Sequence, residues 1–245
     1  MSARVTGATA IRVLAQLRRD PRTIALVLVV PVVLITLLKY VFDGRPELFE
    51  RIGAPLLGLF PFITMFLVTS ITMLRERVSG TLERLMTLPL GKLDLLLGYA
   101  AAFALLAALQ AILVSAVAIG LLDLELARSA WLVVTLAIGN AVLGMALGLF
   151  ASAFARTEFQ AVQFMPALVF PQILLCGLFV QREDMARLLE LVSYALPLTY
   201  AYDALARATA AGELGGRFAL DVGVTVGTAF LALAAGAATL RRRTD

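Results

Sequence analysis

The sequence predicts an all-α integral membrane protein. Its core is a six-transmembrane-helix bundle. An amphipathic interfacial helix precedes the bundle, a short helix sits in the loop after the second span, and a re-entrant segment lies between spans five and six. Three observations predict this. Hydrophobic residues make up 61% of the 245 and charged residues 16%, against about 45–50% and about 25% in soluble domains. Almost all the charges fall between six uncharged runs, each near the roughly 20 apolar residues that a bilayer crossing needs. The basic residues concentrate in alternate loops. One Cys and no His exclude an internal disulfide, a four-thiolate metal site, imidazole general bases and His proton relays. The length suits one domain, residues 1–245.

In chain order, residues 5–19 read as the amphipathic helix. Ala8, Ile11, Leu14 and Ala15 share one face, with Arg12, Gln16 and Arg19 off it, so the helix should lie along a leaflet. Asp20-Pro21 then breaks it. The spans are expected at about 23–42, 52–74, 95–122, 129–155, 159–181 and 222–240. Arg22 and Lys39 can snorkel from the ends of the first, the shortest uncharged run. Pro31, Pro55 and Pro61 interrupt the first two spans. Pro166 and Pro171, with Gly177, make the fifth the span most prone to bend. Asn140, Gly144, Gly148 and Ser152 recur every four residues in the fourth span, and Gly223 and Gly227 do so in the sixth, marking faces for close helix packing. Residues 184–212 hold an apolar stretch too short to cross, the candidate re-entrant segment. With six spans, one side collects 13 basic and 6 acidic residues and the other 8 and 11, which places both termini in the cytoplasm.

The six runs contain no Asp, Glu, Lys or Arg. Ion- and proton-coupled carriers place such groups in the membrane, so that class is disfavoured. The polar side chains inside are Gln110, Asn140, Gln160, Gln163, Gln172 and Cys176 with several Ser and Thr, read as bonds between helices or contacts to a polar ligand. Gly91-Lys92 is followed by Leu93 where a phosphate-binding loop needs Ser or Thr. No catalytic set is evident, so uphill movement needs energy from a partner.

The loop after the second span runs from Arg75 to Asp94. Leu82, Leu85 and Met86 share a helical face, Thr81 after Gly80 starts a short helix at about 80–88, and Pro89 stops it. Such a helix is suited to plug a groove on a partner. The residues Arg75, Glu76, Gly80, Thr81, Leu82, Glu83, Leu85 and Pro89 closely resemble the signature of ABC transporter type-2 permeases, Arg-Glu-x-x-x-Gly-Thr-Leu-Glu-x-Leu-x-x-x-Pro. Arg19–Arg22 resembles the family's N-terminal connecting helix and Pro197-Leu-Thr-Tyr200 its outer re-entrant element.

The resemblance implies a permease without its own ATPase site, half of a dimer with a second copy or a paralogue. A separate ABC ATP-binding subunit would carry ATP and Mg and dock through the 80–88 coupling helix, to which Arg84 also belongs. The chain itself would bind no cofactor, no metal and no nucleic acid, and would sit in a bacterial-type inner or plasma membrane. Phe62, Phe66, Gln163 and Gln172 are the candidate substrate-path residues. Short loops and the absence of a large domain between the first two spans are most similar to exporters of hydrophobic drugs and natural products. Polysaccharide or glycolipid export is the alternative, with Phe60, Phe62, Phe66, Phe164, Phe170 and Phe179 available to stack sugars. A membrane-embedded enzyme is the competing class, disfavoured because the acids are scattered singly.

Overall fold

The computed structural model describes residues 3–81, 84–85, 91–210 and 213–239. Its helices are α1 (Ala3–Arg18), α2 (Pro21–Val41), α3 (Pro46–Val78), α4 (Lys92–Gly120), α5 (Ala130–Ala151), α6 (Glu158–Phe164), α7 (Phe170–Leu175), α8 (Arg187–Ser193), α9 (Pro197–Thr209) and α10 (Gly215–Ala238). Five of them, α2, α3, α4, α5 and α10, are long and apolar enough to cross a bilayer. α2 and α4 run one way and α3, α5 and α10 the other. The bundle therefore has one end carrying α1 and the loop after α3, here the loop end. The other carries α8 and α9, here the hairpin end.

The fifth expected span is the departure. Residues 158–175 are helical but divided: α6 passes through a π-helical turn, Met165–Val169, into α7. Pro166 and Pro171 both lack the N–H that a regular helix needs. The chain slips to the wider spacing, with the Phe170 amide donating to the Met165 carbonyl. The expected six continuous spans are thus five plus one broken segment. The expected re-entrant stretch is a helical hairpin, α8 then α9, with Pro197 in the first turn of α9, where a missing N–H costs nothing.

α3 is the hub, packing most extensively on α5 and also on α2, α4, α6 and α9. Its seam with α5 is set by glycine. A Cβ at Gly144 would stand 2.2 Å from the Phe62 carbonyl oxygen, and one at Gly148 would stand 2.2 Å from Thr69 Oγ1 and 2.4 Å from the Phe66 carbonyl oxygen. The backbones can approach only because those Cβ atoms are absent. Thr69 uses the closeness, donating to the Met145 carbonyl across the seam at 3.2 Å. Asn140 lies beside Gly58 and donates to the Ala201 carbonyl of α9 at 3.4 Å. The second expected glycine face is different: Gly223 and Gly227 have open space around them within the chain.

The face of α1 that packs on the bundle is Thr9, Val13 and Leu17. Ala8, Ile11 and Ala15 are exposed on the opposite side. The helix therefore has two apolar stripes, one joined to α4 and one left for the surroundings.

Candidate functional site

The site lies at the loop end, where α1, α2, α3 and α4 meet. Asp20 sits between α1 and α2 and caps α2. Its Oδ1 accepts the Thr23 amide at 3.1 Å and its Oδ2 accepts the Thr23 hydroxyl at 2.6 Å, with Pro21 in the first turn. These two bonds hold the Asp20 carboxyl below its ordinary pKa. The cap turns α2 sharply from α1 and opens a cleft of about 610 Å³ between α1, α2 and α3. Leu26, Val27, Val30, Leu67, Val68 and Ile71 form apolar walls, and Gln16, Asp20, Thr23, Glu76, Ser79 and Thr81 form a polar mouth.

Adjacent motif residues on α3 point to opposite sides. Arg75 reaches α6, donating from Nε to Glu158 Oε1 at 2.7 Å and from Nη2 to Oε2 at 3.0 Å. Both side chains are more than half exposed, so this clamp orients the turn before α6 more than it stabilises it. Arg75 holds the Glu158 carboxyl below its usual pKa. Glu76 turns inward and is buried. Its Oε1 accepts Gln16 Nε2 at 3.1 Å and lies 3.6 Å from Arg12. Arg12 in turn donates to the Tyr99 hydroxyl of α4 and stands over the Tyr99 ring. One buried carboxylate thus ties α1 to α3, and Arg12 extends the tie to α4. Glu76 Oε2, also buried, has no hydrogen-bond partner among the described residues.

Past Glu76 the helix ends at Ser79, and Gly80 takes φ +72°, the left-handed conformation that glycine adopts at least cost. The Ser79 and Thr81 hydroxyls lie 2.9 Å apart, and the Arg84 amide donates to the Gly80 carbonyl at 3.0 Å. Leu85 packs on the cluster that contains Val13, Leu17, Met73, Leu95 and Tyr99. Of the expected coupling residues, Leu82, Glu83 and Pro89 lie outside the described residues, as does most of the 80–88 helix; so do Arg241, Arg242 and Arg243, the basic residues that follow the sixth expected span.

The four expected substrate-path residues are not brought together. Phe62 and Phe66 are fully buried in the α3–α5 core. Gln172 joins α7 to α9, donating to the Leu168 carbonyl at 3.0 Å and accepting the Leu198 amide at 3.4 Å. Gln163 is exposed and lines a smaller hollow with Phe154, Arg156 and Phe164. Gln160 caps the turn before α6 by accepting the Arg156 amide at 2.8 Å.

Sequence reasoning missed three sets of polar contacts. Arg12, Gln16 and Tyr99 meet Glu76 from residues distant in the chain. At the hairpin end Arg182 grips Asp203 with two bonds of 2.8 and 2.7 Å and also donates to the Cys176 carbonyl. Asp221, fully buried in α10, faces Arg207 at 3.1 Å and Arg217 at 3.7 Å. Only the four-residue spacing of Arg217 and Asp221 was a local signal; Asp221 lay just before the uncharged run taken as the sixth span. Among the described residues no acidic or Cys cluster is arranged to hold a metal.

The comparisons with known proteins agree with this architecture. The family profile described as ABC-2 type transporter matches residues 5–208. ABC transporter G family member 20 of Dictyostelium discoideum is 24% identical over 164 residues, covering 66% of this chain and 22% of the relative. The chain thus spans about a fifth of that protein's length. The profile runs from α1 through the hub helices, the motif loop and α9. With its apolar helices it identifies a multi-pass membrane protein: the chain belongs to the ABC-2 type transporter family.

Proposed function

We propose that this chain is the permease subunit of an ATP-driven exporter of hydrophobic drugs or natural products. Six segments cross a bacterial plasma membrane in this reading, the broken α6–α7 run among them, and the loop end is cytoplasmic. A second copy or a paralogue completes the pathway. A separate ATP-binding subunit carrying ATP and Mg docks on residues 80–88 and supplies the energy. The observation that carries the reading is the Glu76 junction. The motif that marks the docking loop contains the buried carboxylate joining α1 and α3, and that carboxylate lines the mouth of the cleft. Motion of the docked subunit therefore reaches the cleft through helix ends already tied together. The aliphatic walls of the cleft favour an apolar cargo over a glycan, since Phe60, Phe62, Phe66, Phe164, Phe170 and Phe179, the expected sugar-stacking residues, are not among the residues that line it.

The test is reconstitution in proteoliposomes with a cognate ATP-binding subunit. Mg-ATP should drive efflux of a hydrophobic dye, and Glu83→Ala should leave ATP hydrolysis running while efflux falls. Full efflux by the Glu83→Ala protein, or efflux by the permease with no ATPase present, refutes the proposal.

A further inference from the structure

α2 carries a gap in its own hydrogen bonding. Pro31 lies inside the helix and has no N–H, so the Val27 carbonyl one turn earlier loses its intrahelical donor. An open carbonyl is costly wherever water is excluded. α2 is also loosely held: only 17% of its most apolar window is buried. Its buried positions fall on a single stripe, Val27, Pro31 and Ile35.

Another helix fills the gap. Gln110 of α4, fully buried, donates from Nε2 to the Val27 carbonyl at 2.7 Å and to Thr64 Oγ1 of α3. Its Oε1 is buried with no hydrogen-bond partner among the described residues. Thr64 Oγ1 in turn lies 3.0 Å from the Phe60 carbonyl and 3.2 Å from that of Pro61. Val27 and Thr64 both line the cleft, so this three-helix contact lies directly behind its wall.

We propose that Gln110 is a positioning residue for transport, a pin that holds α2 over the cleft through the carbonyl that Pro31 leaves open. The inference rests on the reading of the cleft as the transport path. A carbonyl in a regular helix that accepts a neighbour's donor still keeps its intrahelical bond, whereas the Val27 carbonyl has none to fall back on. Here the attachment is a single side-chain bond, and its owner has a second partner ready. The Thr64 hydroxyl can turn from the α3 carbonyls to the free Gln110 Oε1, so the carboxamide stays bonded when α2 moves. The Val27 carbonyl then faces the cleft, where water or an N–H or O–H donor on the cargo takes the place of Gln110.

The experiment uses the full chain in phosphatidylethanolamine–phosphatidylglycerol vesicles, with no ATPase and no cargo. Cys176→Ser removes the native thiol and Val68→Cys places one on the α3 wall of the cleft. The readout is the alkylation rate by a membrane-permeant maleimide. Gln110→Leu should raise the rate about threefold or more, the size expected for loss of one interhelical hydrogen bond in a bilayer. Pro31→Ala restores the intrahelical donor and should lower the rate. In the Pro31→Ala background, Gln110→Leu should change it less than about twofold, because Val27 no longer depends on the pin. An unchanged rate in Gln110→Leu, or an equal increase in both backgrounds, overturns the proposal. Should Gln110→Leu fail to fold, Pro31→Ala decides alone: a rate equal to or above that of the parent refutes it. Because neither ATPase nor cargo is present, a negative result here leaves the export reading intact, and failed export leaves this measurement valid.

Discussion

Replacing Asp203 with Asn should loosen the hairpin end of the bundle. The perturbation keeps the shape and removes the charge. Asp203 and Arg182 have side-chain exposures of 11% and 15%, so the pair is largely shielded from water. Arg182 makes two bonds to the carboxylate and one to the Cys176 carbonyl, and its guanidinium also stands 5.6 Å from the Tyr194 ring. Those contacts span the turn after α7 to α8 and α9. Neutralising one partner of a buried pair costs about 3–5 kcal/mol because the other charge stays buried and uncompensated. The residual exposure and the surviving contacts bring the expected loss to about 2–3 kcal/mol. At about 2–4 °C per kcal/mol for a chain of this size, Tm should fall by roughly 4–12 °C. The assay is a thermal melt of the purified protein in detergent, followed by tryptophan fluorescence and by retention on a sizing column. Arg182→Ala should cost a comparable amount, and the Arg182→Ala/Asp203→Ala double variant less than the two single losses together. A Tm shift below about 2 °C for Asp203→Asn, or strictly additive losses, would show that the pair is not the clasp argued here.

Other outcomes follow from the same coordinates. Gly144→Val places branches where a Cβ alone would already stand 2.2 Å from the Phe62 backbone oxygen. It should cost at least about 1–3 kcal/mol and appear as aggregation or a lowered Tm, whereas Gly223→Val, with nothing within 4 Å, should be tolerated in the isolated chain. Glu76→Ala strips Arg12 and Gln16 of their shared acceptor and should release α1, seen as faster amide exchange over residues 9–17 while the α3–α5 seam stays protected. The Glu158 carboxyl has its pKa lowered by Arg75. Its contribution is therefore present above the unfolded carboxyl pKa and is lost as pH falls through the lower folded value. With both groups more than half exposed the effect is at most about 1 kcal/mol. Arg75→Gln should abolish that slice of the acid dependence of Tm, and an identical dependence in both proteins would rule the clamp out as its source.

Much of the fold was legible because insertion is a segment-by-segment matter. Each apolar run announces its own preference for lipid through the residues it contains, which is why α2 to α5 and α10 coincide with runs read directly. The prolines of the fifth run likewise foretold a break. Gly80 could be placed at a turn from its position after a charged helix end, and the Gly144–Gly148 spacing predicted a close seam. Gly223 and Gly227 meet no neighbour among the described residues of the chain, since small residues permit close approach without requiring it. Periodicity likewise left open which stripe of α1 packs on the bundle. Two stripes on a short helix are both apolar, and only the shape of α4 selects Thr9, Val13 and Leu17.

The functional pairings were hidden for a different reason. Arg12 and Tyr99 are 87 positions apart, and Gln110 and Val27 are 83. No local pattern says which buried donor meets which buried acceptor. Hydropathy is a property each segment carries alone, so the chain's linear order was enough to declare a multi-helix membrane protein. Hydrogen bonds and ion pairs need partners at about 3 Å. Only once α1, α2, α3 and α4 were assembled did Glu76 become a junction, the open carbonyl of Val27 acquire Gln110, and a cleft exist between them.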